Sequence, residues 1–135
     1  MQTLSILAVA ENLPEVLCFV DKNLESLGCS ASDQWEIDVA VEEIFINIAS
    51  YAYDRVAGLA VVCVDVSPDP ASVTITFMDR GIPYNPLANP DPDISSPLPE
   101  RKRGGLGIFV AKQYMDDIAY QYKDGQNILT LKKLL

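Results

Sequence analysis

The stretch LAVVCVDVSPDPASVTITFMDRG, residues 59–81, decides the fold class. Leu59 to Val66 and Ser72 to Met78 are rich in β-branched residues and flank Ser67-Pro68-Asp69-Pro70, a composition that predicts two antiparallel strands joined by a turn. Immediately upstream, Asp33 with Glu36 three positions later offers a helix start, and Ile37, Val41, Ile44, Phe45, Ile48 and Ala52 carry an apolar stripe through about five turns. Further upstream, Asn12 and Glu15 resemble a capping box. Leu13, Val16, Leu17, Val20, Leu24 and Leu27 then recur at helical spacing as far as Gly28. Thr3 to Val9 reads as a short strand, with Leu4, Ile6 and Ala8 on one face and Leu7 and Val9 on the other.

Downstream of Gly81 the pattern breaks. Six of the nine prolines (83, 86, 90, 92, 97 and 99) fall between Ile82 and Gly104, where no apolar period survives, as in a functional lid or an insertion. Leu106 to Met115 is predicted helical, and Ile118 to Tyr122 and Asn127 to Lys132 read as strands around an Asp124-Gly125 turn. The order is strand, helix, helix, strand, strand, loop, helix, strand, strand. It predicts an α+β two-layer sandwich, with helices on one face of a mixed sheet, and a single domain over 1–135. The parallel βαβ alternation is absent.

Composition narrows the chemistry. The chain has 135 residues, a formal charge of −9 and no histidine, so histidine-based triads and histidine-rich zinc sites are excluded. An acidic surface with pI near 4.3 disfavours nucleic acid or an anionic membrane as a partner of the whole surface. Three widely spaced cysteines without a C-x-x-C, no basic residue before Lys22 and no long apolar run point to a reduced, cytoplasmic setting.

Three local patterns are candidates for chemistry, each beside an ordinary structural reading. Glu43 and Asn47, four apart on the second helix, project side by side, and Glu36, Ser50 and Asp54 extend the polar stripe. This is either a solvated face or an amide oxygen for magnesium beside a carboxylate base. Asp79-Arg80-Gly81 is either a common turn or a strand end where a carboxylate accepts from an amino group and a glycine admits a flat ligand. Gly104-Gly105-Leu106-Gly107 is either a flexible turn or a helix start whose open N–H groups seat a phosphate. Arg101, Lys102, Arg103 and Lys112 crowd this last site, and with Glu100 they set a local charge of +3 over 100–112. It is not a P-loop, because G-x-x-x-x-G-K-[ST] is missing.

In this order, the patterns resemble the GHKL (Bergerat-fold) ATP-binding domains of gyrases and sensor histidine kinases. Closest in length are the bacterial anti-sigma factor serine/threonine kinases. The matching stretches are AVEEIFINIASYAY (40–53), FMDRGIPYNP (77–86), RGGLGIFVAKQYMDDIAY (103–120) and the final DGQNILTLKK. The resemblance implies that Asn47 coordinates Mg2+ and that Glu43 is the general base toward an acceptor hydroxyl. It further implies that Asp79 binds the adenine amino group with Gly81 admitting the base, and that Arg103, Gly104, Gly105, Leu106 and Gly107 line the phosphates beneath an ATP lid at 84–103. The chain departs from the family pattern at Pro83, where a second glycine often stands, and at Tyr51, where a histidine often stands. The implied partners are a STAS-type anti-sigma factor antagonist as phosphoacceptor and a sigma-like factor, with a homodimer formed through the N-terminal strand edge. The alternative is an ATP-binding interaction module without useful kinase activity, or an interaction domain that binds no nucleotide.

Overall fold

A computed structural model describes residues 1–54, 56–88 and 105–135. Five strands and three α-helices follow the predicted order: β1 (Gln2–Leu7), α1 (Leu13–Leu24), α2 (Ala31–Tyr51), β2 (Leu59–Pro68), β3 (Ala71–Asp79), α3 (Gly105–Tyr114), β4 (Asp117–Lys123) and β5 (Gln126–Leu134). The strands form one sheet in the order β1-β2-β3-β5-β4. Every ladder is antiparallel, so the expected mixed sheet is corrected to a purely antiparallel one. The physical reason is connectivity. β2 to β3 and β4 to β5 are hairpins, and β5 inserts beside β3, leaving β1 and β4 as edges.

Alternation along the strands fixes which face the helices cover. On β3, Val73, Ile75, Phe77 and Asp79 are buried while the residues between them are partly exposed. On β5 the buried set is Asn127, Leu129, Leu131 and Lys133. The apolar members of both sets pack with Val16, Val20 and Leu24 of α1 and with Ile37, Ala40, Val41, Ile44 and Phe45 of α2 in one core. α2 touches both α1 and α3, and this explains why its apolar surface is broader than one stripe.

Two helix starts differ from expectation. Asn12 does not cap α1; its Nδ2 donates to the Leu7 carbonyl at 2.9 Å, tying the helix back to β1. The N-cap of α2 is Ser30, three residues before the expected Asp33, because the Ser30 Oγ accepts the Asp33 N–H at 3.1 Å. Asp33 therefore occupies the third helical position, where a carboxylate also suits the helix dipole. Glu36 leaves the supposed functional stripe and pairs with the buried Lys133 of β5 at 2.9 Å, and Lys133 also donates to the Tyr114 carbonyl.

At the other end of α2, the Tyr53 hydroxyl donates to the Leu59 carbonyl at 2.6 Å and accepts the Arg80 N–H at 3.1 Å. One side chain thus clamps the exit of α2 to the start of β2 and the end of β3, the two strand ends that border the site. The segment after β3 is more ordered than its prolines predict. Ile82 N–H donates to the Ala52 carbonyl, Pro86 is buried, and Pro86–Ala88 makes a short 3-10 turn. The rest of the predicted lid, 89–103, lies outside the described residues.

Candidate functional site

A cleft of about 430 Å³ opens where the C-terminal half of α2 meets the ends of β3, β4 and β5. Its walls include Asn47 and Tyr51 from α2, Asp79 from β3, Tyr84 from the following segment, Tyr120 from β4 and Asn127 from β5. Apolar side chains, among them Ile44, Phe77 and Leu129, form the rest. An apolar cleft with a few convergent polar groups is the usual form of a small-molecule site.

Asp79 is the deepest charge in the cleft, only 5% exposed. It is there because the inward alternation of β3 ends on it. Its Oδ1 accepts the Gly81 N–H at 2.9 Å and the Asn127 Nδ2 at 2.9 Å. Asn127 stands directly opposite Asp79 in the β3–β5 register, so the second bond is a cross-strand pair.

Gly81 has a packing reason that its sequence context does not show. A Cβ there would overlap the Ala52 carbonyl oxygen and lie 2.5 Å from the carbonyl carbon, so glycine lets the chain after β3 lie against the end of α2. The same argument joins Glu43 to α3. A Cβ on Gly107 would overlap the Glu43 Oε2 and sit 2.8 Å from its Cδ. The Glu43 carboxylate therefore rests against the first turn of α3. Burial, and secondarily the neighbouring Glu42, push its pKa above the ordinary carboxylate value.

The structure thus brings Asn47 and Asp79 to one cleft and Glu43 to the start of α3, which Gly105 opens and Leu106 and Gly107 continue. Arg103 and Gly104, with Arg101 and Lys102, lie outside the described residues. Sequence reasoning missed Asn127, Tyr120 and Tyr84. The available signal was Asn127 itself, a polar residue at an inward position of the alternating run Asn127, Leu129, Leu131. Tyr51 and Tyr84 face each other across the cleft with ring centroids 6.2 Å apart. Burial raises the Tyr120 pKa, opposed by a hydrogen bond from the Tyr84 backbone.

Three helices on one face of a five-stranded antiparallel sheet, with a largely apolar cleft carrying a few polar groups at the strand ends, form an α+β sandwich of the histidine kinase-like ATPase type. The chain belongs to the histidine kinase-like ATPase domain family, whose sequence model matches residues 6–133. It is similar to the serine/threonine-protein kinase BtrW of Bordetella bronchiseptica, 26% identical over 102 residues that cover 76% of this chain and 71% of that protein. It is also similar to the anti-sigma F factor of Clostridium acetobutylicum, 23% identical over 130 residues, 96% of this chain and 90% of that one. Among solved structures, the RsbU and RsbW domains of a Mycobacterium tuberculosis protein superpose with a TM-score of 0.67 at 18% identity. The match covers this whole chain and 33% of that one. The SiaB–SiaC complex from Pseudomonas aeruginosa gives a TM-score of 0.60 at 14% identity, covering 98% and 89%. At these identities the structures show the shared GHKL-type fold. No helix among the described residues is long and apolar enough to cross a membrane.

Proposed function

We propose that the cleft binds ATP with Mg2+ and that the chain is a serine/threonine kinase of the anti-sigma type, phosphorylating a STAS-type antagonist and binding a sigma-like factor. The observation that carries the reading is the state of Asp79. Its Oδ1 takes two internal donors, while Oδ2 has no hydrogen-bond partner among the described residues. The free oxygen of a carboxylate otherwise held inside the fold faces the cleft as an acceptor, and the adenine amino group is a donor that suits it.

The other roles follow from position. Asn47 offers an amide oxygen from the cleft wall. Among the described residues no cluster of three His, Cys, Asp or Glu side chains exists that would hold a metal alone. That suits magnesium, which takes few protein ligands and fills its shell with phosphate oxygens and water. When bound, the ion supplies neutralisation of charge on the phosphates. Gly105, Leu106 and Gly107 present backbone N–H groups at the start of α3, with Arg103 and Gly104 just before them, a fitting seat for phosphate. Glu43, half-buried beside Gly107, takes the proton of the acceptor hydroxyl, and its raised proton affinity makes it a better base.

The names of the relatives, kinase and anti-sigma factor, support the two halves of this activity. The chain's charge of −9 favours a protein partner over nucleic acid. Among the described residues β1 is an edge strand, with its outer backbone groups facing away from the sheet, so a dimer through this edge is proposed; a monomer mass by light scattering at micromolar concentration would remove it. The test of the activity is transfer of phosphate from ATP to a purified STAS-type antagonist, read by mass spectrometry. A single phosphorylated serine or threonine is expected, and no phosphate on the antagonist despite ATP binding would leave an interaction module.

A further inference from the structure

Trp35, the chain's single tryptophan, is 58% exposed on α2, in the half of that helix away from the cleft. Its ring meets Tyr114 of α3 edge-on, with centroids 5.5 Å apart and planes at 62°. The adjoining turn is pinned as well, because Glu36 pairs with Lys133 and Lys133 donates to the Tyr114 carbonyl at 2.6 Å. Trp35 is thus held in place with more than half of its surface in water. It does not stand alone. Val39 and Ile46, both partly exposed, follow on the same side of the helix, four and eleven positions on, with the exposed Glu42 between them. By the same period the buried Ile37, Ala40, Val41 and Ile44 occupy the opposite side. The side of α2 turned from the core is therefore an apolar ridge led by a rigid aromatic ring, the residue type that most often anchors protein interfaces.

The charge around the ridge is one-sided. Residues 11–54 hold ten acidic side chains and one basic one, Lys22, so this helical layer carries the whole formal charge of −9 and the rest of the chain is neutral. α2 itself has five acidic residues and no lysine or arginine. Glu36 is paired with Lys133, Glu43 rests on the start of α3, and Asp38, pushed up to about 8 by burial and by Asp21, is largely uncharged at neutral pH. Glu11, Glu15, Glu25 and Glu42 remain exposed, and Asp33 partly so.

We infer that this face of α2 docks a cationic amphipathic helix of a partner protein, with Trp35 entering the apolar stripe of that helix and the acidic side chains of the helical layer meeting its basic flanks. Charge selects the occupant. A nucleic acid or an anionic lipid surface is repelled, and a second copy of the chain would set −9 against −9. Shape selects a helix. The ridge from Trp35 to Ile46 is about 16 Å long, three helical turns, and an apolar stripe of matching period lies along it as a helix lies along a groove. Rigidity favours affinity, since little side-chain freedom is lost when a ring already held by Tyr114 is covered. The face is separate from the nucleotide cleft, so the inference does not rest on that reading, and ATP affinity is measured independently of it.

The test uses the fact that the only tryptophan lies on the ridge, so intrinsic fluorescence reports this face alone. The probe is a synthetic peptide of leucine and lysine, three to four turns long, whose leucines recur at helical spacing. A control peptide has the same composition with the leucines scattered. Docking of the first peptide should shift Trp35 emission to the blue and protect it from acrylamide. Its affinity should exceed that of the control by about tenfold or more and should weaken as salt screens the charges. Trp35→Ala, followed by calorimetry, should lower the affinity by about 30-fold. Glu42→Lys, which keeps the fluorophore, should lower it by about tenfold and leave the melting curve unchanged, because Glu42 is exposed.

Equal affinity for the control peptide reduces the effect to charge alone and overturns the inference. So does binding that leaves Trp35 emission unchanged or survives both substitutions, and so does the absence of binding. Emission that shifts to the blue as the protein alone is concentrated assigns the ridge to a second copy and overturns it too.

Discussion

Two glycines in the site should respond oppositely to alanine, and the contrast can be worked from their surroundings. At Gly81 the added Cβ meets backbone: it overlaps the Ala52 carbonyl oxygen and lies 2.5 Å from the carbonyl carbon and 2.7 Å from the Ala52 Cβ. Ordinary contact is about 3.4 Å, so the end of β3 must separate from the end of α2 by at least about 0.9 Å, and by more where the carbonyl oxygen is met. That movement also strains the Ile82–Ala52 backbone bond of 2.7 Å. Overpacking of this kind costs about 2–3 kcal/mol, which for a chain of this length lowers Tm by roughly 10 °C.

At Gly107 the obstacle is the tip of Glu43, a side chain that can rotate. Alanine in a helix gains up to about 1 kcal/mol over glycine, enough to offset the rotamer change. Gly107→Ala is therefore expected to melt within about 3 °C of wild type. The cost appears elsewhere. Glu43 Cδ must retreat by about 0.6 Å and Oε2 by more, and displacement of a base on that scale lowers phosphoryl transfer by about 10- to 100-fold. The assays are thermal melting by circular dichroism and initial-rate transfer to a STAS-type antagonist. Equal loss of stability in the two variants, or wild-type transfer by a well-folded Gly107→Ala, would refute the reasoning.

Glu43→Gln should leave ATP affinity within about twofold and lower transfer by about 10²- to 10⁴-fold; a comparable loss of binding would show that Glu43 acts on the nucleotide and not on the acceptor. Because its carboxyl must be ionised to take a proton, and its pKa is raised by burial, wild-type transfer should rise with pH through a midpoint above the ordinary carboxylate range. Far from the cleft, Asp38 is pushed up to about 8 by burial, by its hydrogen bond with Asp21 and by the Asp21 charge. The folded state thus holds a proton that the unfolded chain releases near pH 4, so this group's favourable contribution is complete below pH 4 and is lost as pH rises toward and through about 8. Asp38→Asn should flatten that slope, gaining stability relative to wild type between pH 5 and pH 9 in urea unfolding; parallel curves would contradict it.

The parts of the fold visible in the sequence were those written in period and punctuation. The β-branched runs around Pro68 and Pro70, the stripe from Ile37 to Ala52 and the stop at Gly28 all reappear as elements within a few residues of their predicted bounds. What was hidden depends on tertiary contact. Asn12 looked like a cap, but Leu7 offers its side chain a carbonyl that the linear pattern does not reveal. Glu36 looked like part of a functional stripe until β5 placed Lys133 against it. Sheet order was hidden for the same reason, since the insertion of β5 beside β3 rests on side chains distant in sequence.

The candidate site divides in the same way. Glu43, Asn47 and Asp79 could be nominated because helical spacing and a strand end place them without knowledge of the rest. Asn127 could not, since its role exists only through four partners drawn from three other segments. The sequence offers Gly81 as the residue that admits a flat ligand and Gly107 as part of a phosphate seat. The structure adds a packing reason for each, the carbonyl of Ala52 and the carboxylate of Glu43.

The central claim is that the open oxygen of a buried Asp79 marks a nucleotide site. It is tested most directly by calorimetric titration of ATP and magnesium into wild-type protein and Asp79→Asn. The account predicts saturable binding by wild type and loss of at least about 30-fold in the variant, because the amide that replaces Oδ1 or Oδ2 sets a donor against either the internal donors or the adenine amino group. Equal binding by the two proteins, or no binding by wild type at millimolar ATP, would contradict it.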